Sequence, residues 1–258
     1  MQMHLNNIEQ LTMIDLSSKR MLSPRLNALI DAALVAERDQ QEKRTYLGGS
    51  RIGVECERAL QFEFFNAPKD PGKDFDGRIL RVFERGHWAE AAMVRWMLLA
   101  GVIIETHQDN GEQFEFVDHG GLFAGHCDGI ITAGPEVFGP FPRLWENKGL
   151  KADKWAAMNK HGLLHENPVY WAQCQLYMEK LGLAEQPALF SAVNANTMEI
   201  YWESIPFNPG AAQQLDAKAR RILQSCLAGE SLPRISSDPN FFKCKRCSWV
   251  ARCFSVTP

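Results

Sequence analysis

The segment Arg143-Leu-Trp-Glu-Asn-Lys148 joins bulky apolar residues to charged ones within a single short stretch. Its composition is typical of a strand, and a strand places Glu146 and Lys148 on one face because residues two apart point to the same side. Charges beside Leu144 and Trp145 are costly to bury unless they have a use. The segment therefore predicts a strand that carries a functional carboxylate and a functional lysine.

A second carboxylate comes from an earlier segment. Asp128 ends the tetrapeptide Gly125-His-Cys-Asp128, inside a strand that the pattern predicts over 122–132. Two carboxylates that converge from adjacent strands form a site for Mg²⁺ or Mn²⁺, which prefer oxygen ligands. Such an ion activates water for phosphodiester hydrolysis, and a neighbouring lysine is worth about 3 kcal/mol of barrier. By itself, Glu146-x-Lys148 also fits a solvated edge strand.

Two further pairs of polar residues lie on the helices predicted before and after these strands. His87 and Glu90 are three apart, and Gln173 and Tyr177 are four apart, so each pair shares a helical face. Each pair also has a structural explanation, either a histidine bonded to a backbone carbonyl or a tyrosine packed in the core. Four tryptophans near these motifs are candidates for stacking on bases, or else large core side chains: Trp88, Trp145, Trp155 and Trp171.

The cysteines form a separate pattern. Three occur as Cys244-Lys-Arg-Cys247-Ser-Trp-Val-Ala-Arg-Cys253, a C-x2-C-x5-C run, and Cys56 lies far upstream. The total of seven cysteines is odd, which argues against a complete disulfide framework and favours metal binding. Four thiolates suit zinc as well as an iron–sulfur cluster, and their spacing does not decide between the two. The remaining cysteines are predicted to be core thiols: Cys127, Cys174 and Cys226.

Bulk composition sets outer limits on the function. The chain has 258 residues, 45% hydrophobic and 23% charged, which is ordinary for one large or two small globular domains. The net charge of −3 does not indicate a nucleic-acid binder, although local basic clusters can still hold phosphates. No apolar run is long enough to cross a bilayer, and the polar segment 1–10 lacks the apolar core of a signal peptide. We therefore expect a cytoplasmic protein without membrane contact.

The pattern of elements predicts an α/β (α+β) fold with a mainly antiparallel group of strands between helices. Three helix starts pair a capping residue with proline, at Ser23-Pro24, Asn167-Pro168 and Asn208-Pro209. The first of these helices presents an apolar face that needs a partner surface. The other predicted helices span 87–100, 168–181 and 209–228, and the strands span 102–106, 113–117, 122–132, 143–148, 188–194 and 199–206.

The ordered set of motifs resembles a known superfamily. Gly86-His87, Gly125-x-x-Asp128, Glu146-x-Lys148 and Gln173-x3-Tyr177 are similar, in this order, to the motifs of the PD-(D/E)XK nucleases, specifically the RecB-like branch. Cys56 together with the C-terminal cysteine run resembles the iron–sulfur members of that branch. Those members are the nuclease domains of AddB-type helicase–nucleases and the CRISPR-associated adaptation exonucleases.

The resemblance implies a restriction-endonuclease-like core, with a central mixed sheet flanked by helices. A metal–cysteine cluster would join the N-terminal and C-terminal segments. It further implies a helical segment over 1–47 and a nuclease domain over 48–258 that includes a C-terminal iron–sulfur clasp. No Gly-x4-Gly-Lys-Ser/Thr loop occurs in the sequence, so this chain encodes no ATP-driven motor of that kind.

Carried over to this sequence, the family pattern makes Asp128 and Glu146 ligands of a catalytic Mg²⁺ or Mn²⁺. His87 is a further ligand and Lys148 is the catalytic lysine. Glu90 has no firm counterpart, and Cys127 stands where many members have proline. The helix residues that position DNA and support the site are Gln173 and Tyr177, and the residues implied to bind a structural 4Fe–4S cluster, with zinc as the alternative, are Cys56, Cys244, Cys247 and Cys253.

The function that follows from the resemblance is a metal-dependent DNA exonuclease acting on single-stranded DNA or DNA ends, in recombination, repair or CRISPR adaptation. It leaves room for an oligomer and for a protein partner such as a helicase, a recombinase or a CRISPR integrase. The alternatives are a non-catalytic DNA-binding or assembly subunit and a zinc-binding interaction module. An inactive subunit should have lost Asp128, Glu146 or Lys148, and all three are present.

Overall fold

The computed structural model describes residues 22–255, so the polar segment 1–10 discussed above lies outside the described residues. Chain contacts divide the protein into two units, one of Met1–Glu42 with Phe75–Glu84 and one of Lys43–Asp74 with Arg85–Pro258. The division into 1–47 and 48–258 stays a prediction. In the described part of the chain, no helix is long and apolar enough to cross a membrane.

Helices and strands alternate along the chain, which confirms the predicted α/β fold class. The helices are α1 (22–40), α2 (Glu57–Phe64), α3 (Gly77–Leu99), α4 (Ala152–His161), α5 (Leu163–Glu166), α6 (Pro168–Lys180), α7 (Pro209–Leu227), α8 (Phe242–Lys245) and α9 (Val250–Ser255). The strands are β1 (Leu47–Gly48), β2 (Ile103–Glu105), β3 (Glu115–Asp118), β4 (Phe123–His126), β5 (Gly129–Ala133), β6 (Arg143–Leu150), β7 (Ala188–Asn194) and β8 (Ile200–Ile205).

The strands form two mixed sheets. One has five strands in the order β2-β5-β6-β7-β8, and only its β6–β7 pair is parallel. The other has three strands in the order β1-β4-β3, with β1 and β4 parallel. The predicted strand over 143–148 is confirmed as β6, the central strand of the larger sheet. Its Leu144 and Trp145 belong to two different hydrophobic clusters, because successive side chains point to opposite faces.

The single strand predicted over 122–132 is wrong, since β4 and β5 belong to different sheets. The chain changes sheet at Cys127-Asp128, where the Cys127 N–H donates to the Phe114 carbonyl at 3.0 Å. Gly129 then pairs with Trp145 of β6. The strand-like composition runs through this junction without a break, so composition alone could not reveal it.

The predicted start of the helix at His87 is also wrong, because α3 begins at Gly77 and Gly86 lies inside it. An isolated glycine costs a helix only about 1 kcal/mol relative to alanine and is tolerated. The predicted end is confirmed: Gly101 has a φ of +83°. The Val102 N–H donates to the Met97 carbonyl at 3.0 Å, as in a Schellman motif.

Two of the three predicted helix caps are confirmed. The side chain of Asn167 accepts from the Tyr170 N–H, and that of Asn208 accepts from the Ala211 N–H. Ser23 does not cap α1, because residue 22 is already helical. Among residues 22–255, part of the apolar face predicted for α1 is exposed, with Leu26 at 49%, Leu29 at 69% and Ile30 at 50%, whereas Leu34 on the same face is half-buried. Helices α4 and α5 were not predicted.

Candidate active site

Asp128, Glu146 and Lys148 meet in one place. The Lys148 Nζ lies 3.0 Å from Glu146 Oε2 and 3.4 Å from Asp128 Oδ2. Strand β6 supplies the glutamate and the lysine on one face, and the junction between the two sheets supplies the aspartate. The convergence that the sequence predicted is therefore present, although the aspartate reaches it from a junction and not from within a strand.

Glu146 is almost fully enclosed, with 1% of its surface exposed. The Gln173 Nε2 donates to its Oε2 at 2.7 Å, whereas Oε1 is buried and finds no hydrogen-bond partner among residues 22–255. Burial raises the pKa of Glu146 to about 8, and the charge of Asp128 adds to the rise. A buried carboxylate oxygen without a partner is costly in a finished core, so this oxygen is a candidate ligand atom.

Asp128 is oriented from behind by a chain of hydrogen bonds. Its Oδ2 accepts from the Asn147 backbone N–H at 2.7 Å. The Asn147 Oδ1 accepts from the Ser191 hydroxyl at 2.8 Å, and this hydroxyl accepts from the Trp145 Nε1 at 3.0 Å. The backbone of β6 thereby fixes the carboxylate of Asp128 relative to Glu146.

Lys148 is held in its charged form. Burial alone would lower the pKa of Lys148, but the charges of Asp128 and Glu146 hold it well above its usual value. Its Nζ also lies 5.5 Å from the centre of the Tyr170 ring, a cation–π arrangement. A charged ammonium can donate hydrogen bonds and stabilise negative charge.

Sequence reasoning gave Glu90 no firm role, but its surroundings in the structure make it a candidate member of the site. Burial and then the charge of Asp128 raise the pKa of Glu90 to about 7, against the opposing effect of Lys148. Glu90 on α3 is therefore within electrostatic range of the other charged groups. A β-carbon placed on Gly149 of β6 would lie 3.4 Å from the Ala89 Cβ, so this turn of α3 runs close to the strand. The available signal was a glutamate sharing a helical face with the buried Met93 and Met97.

His87 is exposed on α3. Among residues 22–255, neither His87 nor the set of Asp128, Glu146 and Glu90 forms a group of three metal-ligating atoms within 4.8 Å of one another. The role of His87 as a further metal ligand therefore stays a prediction.

Gln173 and Tyr177 sit on α6 as predicted, but their surroundings differ. Gln173 reaches Glu146, as described above, whereas Tyr177 is buried with 1% exposure. Burial raises the pKa of Tyr177 well above its usual value, and its ring packs edge-on against Phe116 at 5.6 Å. A β-carbon on Gly125 would lie 2.5 Å from the Tyr177 hydroxyl. Tyr177 is thus placed to support the strand that leads to Asp128, and it is too buried to contact DNA.

The four cysteines of the predicted cluster lie near one another. Cys56 precedes the first turn of α2, Cys244 lies in α8, Cys247 follows it and Cys253 lies in α9. Burial raises the pKa of the Cys247 thiol, and the charges of the other three add to the rise. Across residues 22–255, no three of these sulfurs lie within 4.8 Å of one another. The remaining cysteines are buried, which confirms them as core thiols: Cys127, Cys174 and Cys226.

The C-terminal segment is also held by contacts that need no metal. The Trp249 Nε1 donates to the Ala67 carbonyl at 2.9 Å, and the Trp249 ring stacks on Phe62 at 5.9 Å. The carboxylate of Asp70 accepts from the backbone of Ala251 at 2.6 Å and of Arg252 at 3.1 Å. The region around α2 and the end of the chain therefore form one packed assembly.

No protein-family profile matches the sequence, and no curated protein matches it. Among solved structures, the chain is similar in fold to LHK-Exo, an alkaline exonuclease from Laribacter hongkongensis. The TM-score is 0.50 at 16% identity, with 72% of this chain and 90% of that chain covered. The structure of LHK-Exo in complex with dAMP gives 0.48 at 16% identity, with 72% and 89% covered. At this identity the likeness establishes the fold alone. It agrees with the predicted nuclease-type core, and it does not support the predicted iron–sulfur branch.

Proposed function

We propose that this protein is a divalent-metal-dependent DNA exonuclease. The observation that carries the proposal is the meeting of Asp128, Glu146 and Lys148 around the central strand, with the Oε1 of Glu146 buried and unpartnered in the described chain. The fold likeness to a protein described as an alkaline exonuclease supports attack from the ends of a nucleic acid, and the sequence resemblance favours DNA. Single-stranded DNA is the substrate that the sequence resemblance favours.

The residues present fit a hard divalent cation. Asp128, Glu146 and Glu90 offer carboxylate oxygens, which Mg²⁺ and Mn²⁺ prefer, and a cation relieves the repulsion that contributes to the raised pKa of Glu146 and Glu90. When bound, such an ion supplies Lewis-acid polarisation of the phosphate and a nucleophilic water at neutral pH. His87 is proposed as a further ligand on the resemblance alone.

The protein's own groups orient and neutralise the reacting phosphate. The Lys148 ammonium donates hydrogen bonds to phosphate oxygens as negative charge develops, and a donor of this kind is worth about 10²–10³ in rate. Gln173 holds the Oε2 of Glu146, which leaves Oε1 free to bind the ion. The Asn147 N–H keeps Asp128 in position.

DNA contacts are proposed for exposed residues near these motifs. Trp88 is 72% exposed and is free to stack on a base, a contact worth about 1–3 kcal/mol. Trp145 is fully buried and the half-buried Trp155 packs against the hydrophobic core, so both are assigned to the core and not to DNA contact. Lys151 and Lys154 are exposed at the start of α4 and are proposed to contact backbone phosphates.

A 4Fe–4S cluster on Cys56, Cys244, Cys247 and Cys253 is part of the same proposal. The choice of a cluster over zinc rests on the sequence resemblance, and the influence of the other three thiols on the pKa of Cys247 supports a shared centre. Anaerobically purified protein is expected to show a visible band bleached by dithionite, with iron and acid-labile sulfide in equal amounts. Zinc without sulfide would contradict the cluster.

The test of the proposed activity compares linear and circular DNA. Wild-type protein purified without oxygen is incubated with end-labelled single-stranded DNA and with a circular form of the same sequence, in Mg²⁺, in Mn²⁺ or in chelator. We expect the linear DNA alone to be degraded, and only with metal. Cleavage of the circle would contradict exonuclease action, and failure on every substrate would contradict the enzyme. The process served, the protein partner, the oligomer and the cytoplasmic location stay predictions.

A further inference from the structure

Two groups of side chains outside the active site bring three ligand atoms within 4.8 Å of one another. The first consists of Asp118, His119 and Asp216, and it already contains a cation. The Lys180 Nζ lies 2.6 Å from a carboxylate oxygen of Asp118 and 2.6 Å from one of Asp216. Because this ammonium neutralises both carboxylates, the group has no need of a metal ion.

The second group, His161, His165 and Glu166, contains no such cation. In the described part of the chain, the recorded ion pair of Glu166 is with His165 and with no lysine or arginine. The two histidine rings lie 5.1 Å apart at an interplanar angle of 34°, with both side chains exposed and Glu166 half-buried. The three residues therefore present two imidazoles and one carboxylate to solvent from one side of the α4–α5 junction.

The distances in this group suit a small divalent ion. A tetrahedral zinc site with bonds of about 2 Å separates its ligands by about 3.3 Å. The His165 Nδ1 and the Glu166 Oε1 already lie 3.1 Å apart, and the His161 nitrogen is within 4.8 Å of both.

Hydrogen bonds anchor the backbone that carries the group. The Leu163 N–H at the start of α5 donates to Glu203 Oε2 at 2.7 Å, and the Tyr201 hydroxyl donates to the same oxygen. Gly162 joins the two helices with a φ of +81°, a conformation that glycine adopts without strain. The Glu166 N–H donates back to the Gly162 carbonyl at 3.2 Å. Strand β8 thus anchors the backbone that carries the three ligands. This anchoring lowers the entropy lost on binding an ion.

We propose that His161, His165 and Glu166 form a binding site for Zn²⁺ or a similar late first-row divalent ion, separate from the Asp128–Glu146 site and from the cysteine group. Imidazole nitrogens select such ions over Mg²⁺, which prefers oxygen ligands. With three protein ligands, one coordination position stays open to water or to a ligand from outside. The site does not depend on the proposed nuclease activity.

The experiment measures zinc affinity on the full chain with its cysteine centre loaded, in excess Mg²⁺ that occupies oxygen-rich sites. Zinc is titrated in competition with a chromophoric chelator for wild type, for His161→Gln and for His165→Gln. The matched control is His107→Gln, which removes an exposed histidine of β2–β3 that bonds to Thr106 at 2.9 Å. All variants are first shown to melt at the temperature of the wild type.

We expect the wild type to bind one zinc ion per chain at this site. In both test variants the affinity of the protein for this ion should fall by more than the roughly 10- to 100-fold that removal of an outer partner of a metal ligand costs. The control should bind as wild type does. Co²⁺ at this site should show visible bands without a sulfur-to-metal charge-transfer band. Equal zinc affinity and stoichiometry in wild type, His161→Gln and His165→Gln would overturn the proposal, as would a sulfur band on the ion that these variants lose.

Discussion

At the scale of single residues, the burial of Glu146 destabilises the charged form of its carboxyl group. Its pKa is raised from the ordinary 4.5 to about 8, first by burial and then by the charge of Asp128. The folded protein therefore binds the proton of Glu146 more tightly than the unfolded chain does. The resulting stabilisation is complete below about pH 4.5 and is lost as the pH rises through about 8.

This linkage gives a prediction for the metal-free protein. In chelator, the contribution of Glu146 should make the melting temperature of the wild type fall between pH 5 and pH 9. The variant Glu146→Gln should show a smaller fall. At pH 9 this variant should be more stable than the wild type by a few kcal/mol, since one pKa unit corresponds to about 1.4 kcal/mol. Thermal unfolding followed by circular dichroism measures the effect. Glu105→Gln, an exposed glutamate of β2, is the control. A Glu146→Gln variant with the slope of wild type would contradict the buried, protonated state.

Glu90 gives a second residue-scale prediction. Because it lies within electrostatic range of Asp128 and Lys148, Glu90→Gln should weaken metal binding and slow DNA cleavage by about 10²-fold, the order seen when a preorganised charge-stabilising group is lost. Higher Mn²⁺ should recover part of the rate. The measurement is the cleavage rate as a function of metal concentration, with Glu84→Gln on the same helix as the control. Equal metal dependence in Glu90→Gln and wild type would place Glu90 outside the site.

Sequence reasoning was strongest where the chemistry is local to a motif. The spacing of Glu146 and Lys148 on a strand fixed their shared face, and Gln173 reaches the predicted carboxylate. Glu90 was given no firm role because its importance depends on the approach of α3 to β6, which no local pattern encodes. The sequence left both a DNA-positioning role and packing in the core open for Tyr177, because the outcome depends on the packing of α6 against Gly125.

At the scale of elements, the packing of α6 on β4 leaves no space at Gly125. A β-carbon there would meet the Tyr177 hydroxyl at 2.5 Å and the Phe116 ring at 2.9 Å. Gly125→Ala should therefore destabilise the protein by about 1–3 kcal/mol through overpacking. Urea unfolding measures the change. Tyr177→Phe in the same background should restore part of it, because the nearest clashing atom is removed.

Gly86→Ala is the matched comparison, since a β-carbon on Gly86 meets nothing within 4 Å. Alanine in a helix interior is favoured over glycine by about 1 kcal/mol, so this variant should be neutral or stabilised. Gly125→Ala as stable as wild type would contradict the close packing of α6 against β4.

Some elements could be predicted from the local sequence, and others could not. The caps at Asn167 and Asn208 were predictable because a side chain and its own helix suffice to define them. The break between β4 and β5 was not, because only the pairing of β4 with β3 and of β5 with β6 separates them. Only one residue separates helix α4 from the end of β6, so no turn sequence marks the boundary between them in advance.

At the scale of the whole molecule, the chain closes on itself where α8 and α9 return to α2. Direct contacts such as the stacking of Trp249 on Phe62 hold part of this closure, and the four cysteines are proposed to complete it. Cross-linking a loop of this length restricts the unfolded chain by of order 5 kcal/mol if the disulfide chain-entropy estimate is borrowed.

Cys247→Ala should therefore lose the visible band, aggregate more readily and cleave DNA more slowly. Cys226→Ala, a change to a core thiol outside the quartet, should keep the band. Absorbance, iron content and limited proteolysis of the C-terminal segment measure the difference. Normal stability, colour and activity in Cys247→Ala would show that the quartet does not bind a structural metal centre.

The order of motifs along the chain predicted the fold class of the whole molecule, because Asp128, Glu146 and Gln173 mark successive parts of one core. The start of the helix that carries Glu90 could not be predicted in the same way. The sequence Arg85-Gly86 indicated a helix start at His87, whereas α3 begins at Gly77.

The central claim is that Asp128, Glu146 and Lys148 cut DNA with a bound divalent ion. The most direct measurement is the single-turnover cleavage rate of end-labelled single-stranded DNA for wild type, Asp128→Asn, Glu146→Gln and Lys148→Met, beside their DNA affinities in chelator. We expect each variant to bind DNA within a few-fold of wild type and to cleave it at least about 10²-fold more slowly. Cleavage by any of the three variants at the wild-type rate would contradict the claim.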